Sequence, residues 1–382
     1  MLSRRSFLLS AGALAMTQLL GGCTTNEAAL SVQLLAGSIP PQLLREFRKQ
    51  KGKENKLLFQ PVTQLQDLLS LLESWKEKEE GGKTDQSWWK KIPGISKKPP
   101  TVADLITLDN YLLTDGIKKQ LIEPLSLENL PNWGNLPALW QNLVLRRETG
   151  ELAPEGKVWG APYRTGYTAI AYREDKFEEL GWIPSDWGDL WRRELRSRFS
   201  LLNHPREVIG LTLKKLGYSY NTQNLAAVSS LKSDLITLNQ QVKFFSSDTY
   251  LQPLILGDTW LAIGWSTDIV PLLPRYPNIK IVVPAAGTAL WADIWVKPKS
   301  ANINNTLVDQ WIDFCWQPEF ARLISLFTDA ISPVSLSLKS EESSNILLTP
   351  EIITKSDFIQ PLGEKVEAEY LSLWKEIRKN NE

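Results

Sequence analysis

The chain is nearly empty of the residues from which metal sites and disulfide frameworks are built: its 382 residues include two cysteines and one histidine. So few cysteines give no disulfide framework, and a lone histidine with a lone mature thiol cannot complete an ordinary zinc site. An excess of charge of either sign is also missing, because 43 basic residues face 43 acidic ones. Losing Arg4 and Arg5 with a leader leaves the mature chain about two charges negative, which gives no electrostatic case for a nucleic-acid partner. The chain has no G-x-G-x-x-G, no P-loop lysine motif, no G-x-S-x-G elbow and no H-E-x-x-H. Without a nucleotide fingerprint or metal cluster, no cofactor is expected and catalysis is the weaker reading. A long apolar run is missing too: the stretch after Arg5 ends at Leu20, about 14 residues where a spanning helix needs about 20.

That short run has its own meaning. Ser3-Arg4-Arg5-Ser6-Phe7 sets two arginines directly before it, and Leu20-Gly21-Gly22-Cys23 closes it with small residues before a cysteine. A charged start, a short apolar core and a small-residue end make a secretory leader. The arginine pair predicts twin-arginine export, with residues 1–22 removed and a diacylglyceryl group on Cys23. The expected product is a periplasmic lipoprotein, anchored to a membrane without spanning it. Cys315, within Trp311-Ile312-Asp313-Phe314-Cys315-Trp316, reads as a small buried hydrophobe.

Tryptophan is the unusual abundance, with 16 in the chain. Most are expected in cores, but so many can also line a binding cleft. Pro41 to Phe47 begins as a helix start should, and Leu65, Leu68, Leu69, Leu72 and Trp75 repeat at helical spacing. Glu79 to Pro100 is rich in Gly, Lys and Pro and reads as a surface insertion holding Trp88 and Trp89. Strands are predicted over 102–108, 158–172, 259–265 and 279–283. Helices are predicted from near Tyr111 and over 208–216, 225–245, 307–316 and 367–378. Strands alternating with helices argue for an α/β fold, and the length for two domains.

Several segments carry a family resemblance. Trp265-Ser266-Thr267-Asp268, Pro284 and Leu290-Trp291-Ala292-Asp293-Ile294 resemble the polyamine-binding branch of bacterial periplasmic solute-binding proteins. So do Ser185-Asp186-Trp187-Gly188-Asp189-Leu190-Trp191 and the run from Arg206-Glu207-Val208 to Leu216-Gly217-Tyr218-Ser219-Tyr220-Asn221-Thr222. The resemblance extends from about Leu30 to the C-terminus. It implies two α/β lobes of the periplasmic-binding-protein fold (type II-like), with a ligand cleft between them and crossing segments that act as a hinge. By resemblance, lobe 1 comprises 27–162 plus 292–338, and lobe 2 comprises 163–291 plus 339–382. The implied partners are a small cationic solute and an ABC permease, with the binding protein a monomer.

A polyamine is a flexible apolar chain ending in ammonium groups, so its site needs aromatic walls and terminal carboxylates. The resemblance supplies candidates: Tyr111, Trp265 and Trp291 as walls, Glu207 and Asp293 as carboxylates, and Gln360 as a polar contact. Two positions depart from the pattern. His204 stands where those proteins carry an aspartate, and Ala330 where they carry a tyrosine. Imidazole in place of a carboxylate removes an anion that offsets ammonium desolvation, so altered specificity is expected: a shorter amine, one cationic end, or a ligand with an acceptor or carboxylate. A neutral His204 at a helix start is the plainer alternative. The other functional classes are an exported cofactor-dependent enzyme and a non-transporting scaffold or sensor with a degenerate pocket.

Overall fold

The computed structural model describes residues 28–51, 55–81, 101–301, 306–337 and 348–379. Arg4, Arg5 and Cys23 lie outside them, as does the stretch holding Trp88 and Trp89. The chain divides into two compact units and passes between them several times. Of the described residues, those within 28–135, 144–161 and 294–323 form unit 1, and those within 136–143, 162–293 and 324–379 form unit 2.

Unit 1 is built on β1 (Leu30–Leu35), β2 (Leu57–Val62) and β3 (Leu105–Asp109), with short strands β4 (Ile122–Glu123), β5 (Leu145–Arg146) and β6 (Lys157–Val158). β1 runs parallel to both β2 and β3, with Val32 opposite Phe59 on one side and Leu105 on the other. Buried on both faces, such a strand reads as a continuous apolar run rather than an alternating one. The helices Pro41–Lys51 and Leu65–Glu79 follow β1 and β2. They bury Leu43, Leu44 and Phe47, and Leu68, Leu69, Leu71, Leu72 and Trp75. An aromatic core gathers around fully buried Trp311, whose ring lies 5.0 Å from Phe47, 4.8 Å from Phe59 and 6.1 Å from Trp295. Edge-to-face pairs of this kind add roughly 0.5–1.5 kcal/mol each beyond their buried area. Cys315 is buried in the helix Thr306–Cys315, and burial pushes its thiol up, as an inert core cysteine requires. The buried Arg146 guanidinium donates to Thr114 Oγ1 at 2.7 Å and to the Gly150 carbonyl at 3.1 Å.

Unit 2 is organised around β7 (Ala161–Arg173), with β8 (Phe199–Leu201), β9 (Phe244–Phe245), β10 (Leu261–Trp265), β11 (Ile279–Val282), β13 (Asp357–Phe358) and the first half of β12 (Ala289–Pro298), whose residues from Ile294 on belong to unit 1. β7 pairs antiparallel with β10 and with β11, while β8 joins β10 and β9 in parallel. β12 neighbours β7, and its first residues pair in parallel with β13. The helices Pro205–Lys215, Leu231–Gln241 and Glu364–Lys379 pack on one another. Their core includes Trp187, Phe199, Leu211, Tyr220, Leu235, Tyr370 and Ile377. Gly210, inside the first of these helices, is required by close approach: a Cβ there would lie 1.9 Å from Tyr220 Cδ1.

The sequence expectations shift at particular places. The single helix expected over 225–245 is a short turn at Leu225–Ala227, the helix Leu231–Gln241 and the strand β9. Val242 takes extended dihedrals (φ −63°, ψ 135°) and ends the helix. Trp187 and Leu190 of the S-D-W-G-D-L-W segment are buried, and the Trp187 indole donates to the Gly287 carbonyl at 2.8 Å, so that motif builds core. No helix among the described residues is long and apolar enough to cross a membrane.

Candidate functional site

Side chains along a strand alternate between faces, so Arg164, Gly166 and Thr168 of β7 share one face. Trp265 is the register partner of Thr168 across the antiparallel β7–β10 pair, which puts the indole on that face as well. Trp291 and Asp293 are two apart on β12 and likewise share a face. Contacts tie the strands together. A Cβ on Gly166 would lie 2.2 Å from Trp291 Cζ2 and 2.8 Å from Ser266 Oγ, so only glycine lets the Trp291 ring settle against β7. The Thr165 hydroxyl donates to the Trp291 carbonyl at 2.6 Å. Trp265 and Trp291 are both half-buried, unlike the fully buried core tryptophans.

Glu207 reaches this face from the first turn of the helix Pro205–Lys215. Pro205 suits that turn because its missing N–H has no helical partner to lose, and a carboxylate there is favoured by the helix dipole. Arg206 anchors the turn. Its guanidinium donates to the carbonyls of Gln360 at 2.9 Å and Tyr220 at 3.2 Å and to Asn221 Oδ1 at 3.0 Å, and lies 5.1 Å from the Tyr370 ring centroid. The L-G-Y-S-x-N-T run is thus scaffold for the helix start. Glu207 itself is 5 % exposed. It accepts from the Thr168 hydroxyl at 3.0 and 3.1 Å and from the Trp265 indole N–H at 3.2 Å. Burial pushes its carboxyl up to about 7, although those hydrogen bonds and the Arg206 charge oppose the shift.

Asp293 is buried as deeply and has a different neighbour. The Nε of Arg164 lies 3.4 Å from its Oδ2, and the same guanidinium stands 5.6 Å from the Trp291 ring centroid. Burial raises the Asp293 carboxyl, and the Arg164 charge partly offsets that. Sequence reasoning missed Arg164; its signal is a basic residue set among the apolar and aromatic residues of β7, nine positions before the arginine that ends the strand.

His204 is exposed at the start of the Glu207 helix and makes no side-chain cap bond. Enough protein surrounds the ring to desolvate it in part, and this, with the Arg206 charge, lowers its pKa. Gln360 is half-buried, its main chain tied to Arg206 and Asn221. Ala330 is buried, one residue before Ile331, which exchanges two backbone hydrogen bonds with Thr165 at 2.7 and 2.9 Å. Tyr111 lies beyond β3 in unit 1, 36 % exposed. The structure therefore joins Glu207 to Trp265, and Trp291 and Asp293 to Arg164, all within unit 2.

This arrangement sits in a fold shared with known solute receptors. The chain belongs to the bacterial extracellular solute-binding protein family, whose model matches residues 101–350. Among relatives, the spermidine/putrescine-binding periplasmic protein of Salmonella typhimurium is 24 % identical over 318 residues, covering 83 % of this chain and 81 % of that protein. The putrescine-binding periplasmic protein PotF of Escherichia coli is 27 % identical over 237 residues, 58 % of this chain and 62 % of that one. Among solved structures, the spermidine/putrescine ABC transporter substrate-binding protein PotD of Streptococcus pneumoniae superposes with a TM-score of 0.77 at 20 % identity, covering 93 % of this chain and all of that one. The mixed α/β fold is that of the two-lobed periplasmic binding proteins.

Proposed function

We propose that the chain is the extracytoplasmic solute-binding component of an ABC importer and that it captures a polyamine or related amine. The observation that carries this reading is the buried Glu207 carboxylate, held by Thr168 and the half-buried Trp265 indole with no ion-pair partner among the described residues. An ammonium placed there gains a carboxylate and an aromatic face together. Trp291, Asp293, His204 and Gln360 extend the site along unit 2, and the contribution of Tyr111 rests on the family resemblance. A lipid on Cys23 would confine the protein beside its permease and raise their effective concentration. That anchor, the twin-arginine leader and the monomeric state rest on the sequence. The test is a fluorescence and calorimetric titration of wild type and Glu207→Gln with putrescine, cadaverine and spermidine. Saturable binding that Glu207→Gln weakens at least about tenfold supports the reading; amine binding indifferent to that change sinks it.

A further inference from the structure

We infer that Arg164 is a built-in cation occupying the seat of a second ligand ammonium, so that the site selects linear solutes with one ammonium, held at Glu207, and an acceptor oxygen at the far end. This rests on the amine reading above and narrows it.

Arg164 and Thr168 are about 13 Å apart along an extended strand that rises roughly 3.3 Å per residue. Thr168 bonds Glu207, and Arg164 faces Asp293, so the two carboxylates mark opposite ends of one strip of β7. At the Glu207 end the donors on the carboxylate are a hydroxyl and an indole N–H, both neutral. At the Asp293 end a guanidinium already balances the carboxylate at 3.4 Å and already faces the Trp291 ring. A guanidinium cannot shed its proton to make room. A diamine would therefore bring a second cation to a carboxylate that has one, in a place shielded from water.

The donors of Arg164 show what the end can accept. The residue is 8 % exposed, and among the described residues its guanidinium makes no hydrogen bond, only the ion pair and the ring contact. Its Nε is sealed from solvent without a hydrogen-bond partner, and a guanidinium so little exposed demands acceptors, which a carboxylate or amide oxygen supplies. The side chain at 330, beside the Ile331–Thr165 bridge, is only a methyl and offers none.

Calorimetry on the full chain decides it, with δ-aminovalerate and cadaverine as a matched pair differing only at the far end. N-acetylputrescine, with an amide oxygen there, separates a neutral acceptor from an anionic one. Wild type should bind at least one of the two single-ammonium ligands about tenfold or more tighter than cadaverine. Arg164→Met should reverse the order by freeing Asp293 for an ammonium, while Arg164→Lys should keep it. Cadaverine binding as tightly as both others in wild type overturns the inference whatever the variants do; if that binding still needs Glu207, the amine reading stands without it. Failure of all three ligands, of putrescine and of spermidine to bind overturns both.

Discussion

The indole nitrogen of Trp265 lies 3.2 Å from Glu207 Oε1, so an aromatic wall and a buried carboxylate form one hydrogen-bonded unit. The pair is set by two separate pieces of local structure. β10 holds Trp265 opposite Thr168, and Pro205 and Arg206 hold the helix start that aims Glu207 at both. Moving either partner disturbs the other.

Glu207 should make unliganded stability depend on pH. Its folded carboxyl lies near 7 against an ordinary 4.5, so the folded state holds the proton more tightly than the unfolded state. Stability contributed by the protonated form is present below about 4.5 and is lost as pH rises through about 7, on the order of 3 kcal/mol in all. Glu207→Gln should flatten this slope in urea titrations from pH 4 to 8. An equal slope in both proteins would show that Glu207 is not the titrating group.

Ligand binding should report the same proton. An ammonium beside Glu207 favours the carboxylate, so amine affinity should rise with pH through about 7 and binding should release a proton below that value. His204, lowered and thus largely neutral at neutral pH, adds to this trend only when it charges in more acid solution. Calorimetry in buffers of different ionisation enthalpy measures the release. Proton uptake on binding would contradict the assignment of the cation to Glu207.

Trp265→Phe keeps a ring but removes the N–H donated to Glu207. The carboxyl should rise further, and amine affinity at pH 7 should fall on the order of tenfold, since a hydrogen bond to a charged group is worth about 1.5–3 kcal/mol. An unchanged affinity would leave Trp265 as packing alone.

Gly166→Ala tests the seat of Trp291. The new methyl would fall 2.2 Å from Cζ2, inside contact distance, and the indole must move. Overpacking of this kind costs roughly 1–3 kcal/mol, and ligand affinity should drop with stability. A variant with wild-type affinity would place Trp291 outside the site.

At the N-terminus, Arg4→Lys with Arg5→Lys should leave folded precursor in the cytoplasm, and Cys23→Ser should abolish palmitate labelling. Labelling that persists in the serine variant would end the lipoprotein reading.

Some of this was legible in the sequence and some was not, for physical reasons. The helices at Pro41, Leu65 and Leu307 carry period-3.6 apolar faces, and each starts within one residue of the expected place, the first two running four residues beyond the expected pattern. β1 and the long β12 are not singled out by pattern, because largely buried strands lose the alternation that marks a strand. Glu207, Trp265, Trp291 and Asp293 come from resemblance, carried by short contiguous motifs: Glu207 lies in a helix's first turn, Trp265 ends β10, and Trp291 and Asp293 lie in the first half of β12. Arg164 was not, because the partner that gives it meaning is 129 positions away in sequence and adjacent only in the fold.

The discontinuous make-up of the two units also constrains how the protein is made. Unit 1 needs residues up to Leu323, and unit 2 needs the helix Glu364–Lys379, whose Tyr370 hydroxyl donates to the Thr222 carbonyl at 2.9 Å and whose Ile377 fills the core. Neither unit has all of its segments while the ribosome extends the chain through its first two thirds, so the last packing step of each must follow late in synthesis.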